Sequence, residues 1–272
     1  MALGSRRGVG LRDGHDGAWI VGDDPVRAEG EETRRFRDPA YLGDPINAVK
    51  LFNDLECDEL VVVDISATRR GAGPDFEFVE EFASEAFMPL AYGGGITSMD
   101  QIRRLFTIGV EKVIVNSAAP DGRLVAEAAE RFGSQSVVVS IDVRTSMFGK
   151  HEVYTHSATK GLKTDPVSYA KRMQDAGAGE LFVHSVELEG SAKGFDQKLL
   201  GSVCDAVAIP VIGCGGAGEL GHFRSAFAST SVSGLAAGTM FVMHGKHRAP
   251  LISYPAPSEI EGLRSPGTAR GS

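Results

Sequence analysis

PLAYGGG at residues 89–95 and PVIGCGG at residues 210–216 are one motif written twice, starting 121 positions apart at Pro89 and Pro210. Each is a short apolar run ending in glycines, and the first leads straight into the helical pattern SMDQIRRLF. The spacing recurs on both sides of the motif. Asp64, which ends VVVD, and His184, which ends LFVH, are 120 apart, while Asn116-Ser117 and Gly238-Thr239 are 122 apart. A near-constant offset over three successive units marks one half of the chain as a copy of the other.

The duplicated unit alternates strand-like runs with amphipathic segments. ELVVVDI (59–65), MPLAYGG (88–94), KVIVNS (112–117), SVVVSIDV (136–143), ELFVHSV (180–186), IPVIGCGG (209–216) and GLAAGT (234–239) are continuously apolar, as expected of parallel strands covered on both faces. Segments such as DPINAVKLFNDL, DGRLVAEAAERFG and DPVSYAKRMQDAG lie between them, several opened by Asp or Ser and closed by Gly. Seven βα units are legible, and two four-unit halves make eight. The expected fold is therefore α/β, a single (β/α)8 barrel of two duplicated half-barrels. A doubly wound sheet explains the alternation too, but gives no reason for half of it to repeat.

The barrel is expected over residues 41–250. Residues 1–40 form an atypical N-terminal segment rich in Gly, Asp and Arg with an irregular first strand, either GVGL or AWIV. Residues 251–272, which include APSEIEGLRSPGTARGS, read as a disordered tail.

With 272 residues, 42% of them hydrophobic, the chain can bury a large core. A net charge of −8 and the lack of any run of five Lys/Arg argue against a nucleic-acid surface. Cys57, Cys204 and Cys214 are odd in number and have no CxxC spacing, which reads as reduced thiols and suggests no zinc motif. No apolar run approaches the roughly 18 residues of a membrane span, and the N-terminus lacks a signal peptide's apolar segment. A soluble cytoplasmic protein with no membrane association is expected.

In a parallel barrel the residues that end the strands share one rim, where functional groups gather. Two anion sockets fall there: Gly94, Gly95, Asn116 and Ser117 from one half, and Gly215, Gly216, Gly238 and Thr239 from the other. Glycine lets backbone N–H groups close on a phosphate, and a following helix start adds a positive dipole end. The alternative is that these glycines only make tight βα turns. Two matched sockets imply a long substrate with a phosphate at each end. Between them Asp142 ends VVVSID, a carboxylate whose burial would suit it to general acid or base work. Asp64 and His184 are weaker candidates, with a helix cap and a polar filler as their alternatives. Cys214 has no paired base and reads as a core thiol. At the opposite strand ends, Glu59, Lys112 and Glu180 are either solvated or form a salt-linked ring.

GDPINAVKLFNDLECDELVVVDISA, PLAYGGGI, EKVIVNSAA, VVVSID, HEVYTHSATKG, GAGELFVHSVELEGSAKGFD and IPVIGCGGAG, in that order over roughly residues 34–245, resemble the cyclase subunit of imidazole glycerol phosphate synthase. The resemblance implies a heterodimer with a glutaminase (glutamine amidotransferase) subunit that docks at the bottom of the barrel and releases ammonia into its core. The barrel would add it to a bis-phosphorylated aminoimidazole carboxamide ribonucleotide derivative, giving imidazole glycerol phosphate and aminoimidazole carboxamide ribonucleotide for histidine and purine synthesis. On this resemblance Asp142 matches one of two catalytic aspartates, both sockets match phosphate sites, and Glu59, Lys112 and Glu180 match the ammonia gate. No metal or organic cofactor is implied.

Two departures stand out. The family's second catalytic aspartate lies in a strand-one motif that aligns only to VGLRDG, which puts Gly10 in its place and Asp13 nearby. The loop after strand six, usually a run of aspartates, is ELEG here. A sister branch that looks similar in DPINAVKLFN and MPLAYGGGI serves amidation of nucleotide sugars for surface polysaccharides. A barrel without catalysis that only activates its glutaminase is the reading from a different class.

Overall fold

The computed structural model describes residues 17–22, 30–34, 37–43, 45–245 and 249–263. Eight parallel strands close into a ring: β1 (Gly17–Gly22), β4 (Leu60–Asp64), β5 (Leu90–Gly93), β6 (Lys112–Val115), β7 (Val137–Thr145), β10 (Glu180–Ser185), β11 (Val211–Cys214) and β12 (Gly234–Ala237). Closure comes from β12 pairing in parallel with β1, and from β7 pairing with β10 across an intervening antiparallel excursion. That excursion is β8 (His151–Thr155) and β9 (Lys160–Gly161), while β2 (Gly30–Arg34) and β3 (Arg37–Gly43) form a second antiparallel hairpin on β1. The helices that return the chain between barrel strands include α1 (Pro45–Asp54), α3 (Phe76–Glu85), α4 (Met99–Ile108), α5 (Arg123–Phe132), α6 (Pro166–Asp175), α7 (Gln197–Cys204) and α8 (Leu220–Ser229), with two short turns, α2 (Ala67–Arg70) and α9 (Thr239–Val242).

Side chains alternate across each strand, so the continuous apolar runs divide between two cores. Val61, Ala91, Ile114, Val138, Phe182, Ile212 and Ala236, one from each of seven strands, fill the barrel interior. Their neighbours, such as Leu60, Leu90, Val113, Val139, Leu181, Val211 and Leu235, pack outward against Phe52, Phe82, Ile102 and Phe223 of the helices. Fully burying one such side chain contributes about 1.5–3 kcal/mol, so the closed sheet is held from both sides.

The duplication is written in the backbone. Leu60 N–H donates to Pro89 O and Leu181 N–H to Pro210 O, both at 2.9 Å, and Glu111 and Ser233 donate likewise to Leu90 and Val211. A Cβ on Gly94 would meet Asp64 O at 2.7 Å, and one on Gly215 would meet Ser185 O at 2.6 Å. The structural counterpart of Asp64 is thus Ser185, and the offset of 120 to His184 becomes 121. The reason is parity: His184 faces inward with Phe182, whereas Asp64 and Ser185 share the outward parity of Leu60 and Leu181.

Two boundaries differ from expectation. The first strand is GAWIVG, so the barrel begins at Gly17 inside the segment read as atypical, and the AWIV alternative is the one that pairs with β4. The tail is ordered through residue 263: after β13 (Met243–His244) and β14 (Ala249–Pro250), the helix α10 (Pro257–Glu261) buries Ile260, and Leu263 is buried beyond it. Tyr254 Oη also donates to Asp58 Oδ2 at 2.9 Å. Apolar residues spaced along a polar tail join the outer core, which composition does not reveal.

Candidate active site

Because the eight strands are parallel, their C-terminal ends share one rim, and that rim carries both glycine pairs. Each pair needs a backbone that other residues rarely adopt: φ is +134° and +65° at Gly94 and Gly95, and +93° and +102° at Gly215 and Gly216. Each also packs hard on a neighbouring βα loop. A Cβ on Gly95 would lie 2.5 Å from Ala72 O, and one on Gly216 would lie 2.1 Å from Gly194 O. Both pairs therefore make tight βα turns, the alternative weighed for them.

An open cavity lies against the first pair. It brings together Asp64, Gly94, Gly95, Asn116, Ser117, Asp142 and His184 of the expected residues. Gly215, Gly216, Gly238 and Thr239 do not line it; they stand on the same rim at β11 and β12, beyond His184. Asp13 lies outside the described residues. Thr68, Ser140, Ser157 and Phe182 line the cavity without having been singled out.

Asp142 sits at the inner face of β7, opposite His184 of β10 in the strand register. It is buried, and Ser140 Oγ, one inward position below, donates to its Oδ1 at 3.0 Å. Burial raises its carboxyl above the ordinary range, opposed by the positive charge of His184 and by the Ser140 hydrogen bond. A carboxyl whose pKa is raised by burial and that faces a cavity is suited to giving up a proton and taking it back.

Asp64 is differently occupied. Its Oδ1 accepts from Ser66 N–H (2.8 Å), Ser66 Oγ (2.7 Å) and Ala67 N–H (2.9 Å), and its Oδ2 lies 3.3 Å from Arg70 Nη2. The carboxylate closes the start of α2, the alternative weighed for it. Asn116 Nδ2 donates to Ser140 O at 3.2 Å, and Ser117 Oγ accepts from His156 N–H at 3.1 Å. The second contact anchors the β8–β9 loop over the cavity, where His156, Ser157 and Ala158 all have φ near +55°. Three consecutive left-handed residues without glycine are costly backbone, held by Ser117 below and by Ser157 Oγ donating to Ile65 O. The segment HEVYTHSATKG carried this loop in the sequence, but only the fold brings it back over the rim.

His184 is buried with Glu189, Nε2 to Oε2 2.8 Å. Glu189 was not singled out, and its signal was the ELEG loop itself. Cys214 is buried alongside, its thiol pushed well above the ordinary value by burial and then by the Glu189 carboxylate, so it stays protonated. That fits a core thiol, not a nucleophile.

At the opposite end of the strands, Lys112 Nζ lies 3.2 Å from Glu59 Oε1 and 3.5 Å from Glu180 Oε2, with all three residues at most 6% exposed. They have the inward parity of Ile114, Val61 and Phe182, so they form the bottom layer of the barrel interior. The solvated alternative is excluded by that burial. Among the described residues no helix is long and apolar enough to cross a membrane.

A closed (β/α)8 barrel with matched glycine turns and a buried carboxyl on one rim, and a charged ring at the other end of its interior, defines a barrel protein of two duplicated halves. A family profile described as histidine biosynthesis protein matches residues 24–247. The chain belongs to the histidine biosynthesis protein family. It is 45% identical over 231 residues to a provisionally named imidazole glycerol phosphate synthase subunit hisF2 of Pseudomonas aeruginosa, covering 85% of this chain and 92% of that one. Similar provisionally named subunits are HisF of Leptospira borgpetersenii, 39% identical (85% and 92% covered), and hisF3 of Vibrio vulnificus, 40% identical (84% and 88% covered).

Proposed function

We propose that the protein is the ammonia-accepting cyclase subunit of an imidazole glycerol phosphate synthase, working with a separate glutaminase subunit. The observation that carries this is Asp142, a buried carboxyl with a raised pKa between an anion cradle and His184, in a barrel whose other end holds the buried Glu59–Lys112–Glu180 ring. In this reading Gly94, Gly95, Asn116 and Ser117 hold one phosphate of the bis-phosphorylated ribonucleotide, and Gly215, Gly216, Gly238 and Thr239 hold the other. Asp142 transfers protons as ammonia adds and the imidazole ring closes. Ammonia enters past Lys112. The glutaminase docks on the bottom face, where Leu51, Leu55 and Phe87 are exposed apolar groups near the strand starts. Asn53 joins that patch, taking Phe87 N–H at 2.9 Å.

A second reading has a specific observation behind it. The rim residue of β10 is a histidine bonded to Glu189 where the cyclase family has an aspartate-rich loop, which suits a different substrate skeleton, as in the branch that amidates nucleotide sugars. Both readings share the barrel, the gate and the partner. The test is turnover of the ribonucleotide with saturating ammonium at high pH, followed by its imidazole product. Product formation that Asp142→Asn lowers about 10²–10⁴-fold is expected. No product, together with stimulated glutaminase activity in the partner, rejects the cyclase assignment and favours the sugar branch or a purely activating barrel.

A further inference from the structure

The sequence offers no metal motif, since residues 184, 189 and 214 have no recognisable spacing, yet the fold gathers them. His184 and Cys214 are directly paired in the β10–β11 register, so the sheet fixes their separation, and Glu189 returns to them on the loop after β10. His184 Nε2 and Glu189 Oε2 are 2.8 Å apart, and one donor atom from each of the three side chains lies within 4.8 Å of the others. All three residues are buried, none more than 6% exposed.

Imidazole, carboxylate and thiolate are the three ligand types that bind zinc. Ligand atoms around a tetrahedral zinc stand roughly 3–4 Å apart, given bond lengths of about 2.0–2.3 Å, so this cluster needs side-chain shifts of about 1 Å or less. The charge balance points the same way. A buried cluster holding a carboxylate beside a thiol, with the Asp142 carboxyl on the next strand, gains from a cation that ionises the thiol and draws the acidic groups inward. Three protein ligands would leave a fourth position open, as in catalytic zinc sites, and one of the three, His184, lines the substrate cavity.

We propose that His184, Glu189 and Cys214 form a binding site for one zinc-class divalent cation beside the substrate cavity. The site stands apart from the cyclase assignment, because it is read without substrate. The test is zinc content of the purified full-length protein by elemental analysis after dialysis against a weak chelator, with affinity from competition against a chromophoric chelator. About one equivalent is expected, with affinity falling more than tenfold in Cys214→Ser and in His184→Asn but unchanged in Cys57→Ser and Cys204→Ser. Cobalt substitution serves if a ligand variant fails to fold: wild-type protein then shows thiolate-to-cobalt charge-transfer absorption, which Cys57→Ser and Cys204→Ser retain. Wild-type protein that retains no zinc after loading, a cobalt spectrum without a thiolate band, or equal affinity in Cys214→Ser overturns the proposal.

Discussion

At Asp142 a single carboxyl carries both the chemistry proposed above and a cost to the fold. Burial raises its pKa in the folded chain, while the unfolded chain releases the same proton in the ordinary carboxylate range. As pH rises through that range the unfolded state loses its proton first, so stability falls, by about 1.4 kcal/mol per pH unit, until the folded carboxyl also ionises. The Asp142→Asn variant has no proton to release there and carries no such dependence. Urea unfolding at a series of pH values should therefore show wild type losing ground to Asp142→Asn between the ordinary carboxylate range and the raised value, with a constant difference below it. A difference that does not change with pH would mean the carboxyl is solvated. Asp64, the same residue type at another rim position, has no comparable role, because three donors at the start of α2 already engage its Oδ1.

Helix α4 shows how an element holds the first cradle in place. Ser98 and Gln101 form a reciprocal cap: Gln101 N–H donates to Ser98 Oγ, and Gln101 Oε1 accepts from Ser98 N–H at 3.1 Å and from Thr97 N–H at 2.7 Å. The cap sets the path of the chain from Gly95 into the helix, while Ile102 and Leu105 seat the helix in the outer core. Ser98→Ala should cost about 1 kcal/mol, a fall in melting temperature of roughly 2–4 °C by calorimetry. The strands are set by different physics. Their apolar runs are continuous because each is covered on both faces, so pattern alone located the seven barrel strands that follow β1. The first strand is flanked by Gly and Asp, and only its pairing with β4 and β12 distinguishes GAWIVG from GVGL.

Across the whole molecule the rim and the bottom are the two ends of one packed barrel interior, with Lys112 held between two glutamates at its base. Lys112→Met removes the cation while filling similar volume, and leaves Glu59 and Glu180 buried without it. The variant should lose about 3–5 kcal/mol in urea unfolding. On the function proposed above, its complex with a glutaminase subunit should also lose the coupling of glutamine hydrolysis to product while free ammonia still supports turnover. Unchanged coupling in a folded variant would mean that ammonia reaches the rim by another route.

The linear order of the chain was enough to specify a duplicated barrel, its rim glycines, the strand end that carries Asp142 and the strand starts that carry Glu59, Lys112 and Glu180. Each of these depends on local apolar period and on repeat spacing, which a sequence carries directly. Only the tertiary structure decided that Asp64 is a cap, that Ser185 is its counterpart, that the tail buries Ile260 and Leu263, and that His184, Glu189 and Cys214 converge. Those facts depend on strand register and loop path, where one residue of shift turns a side chain to the other face and where groups far apart in the chain either meet or do not.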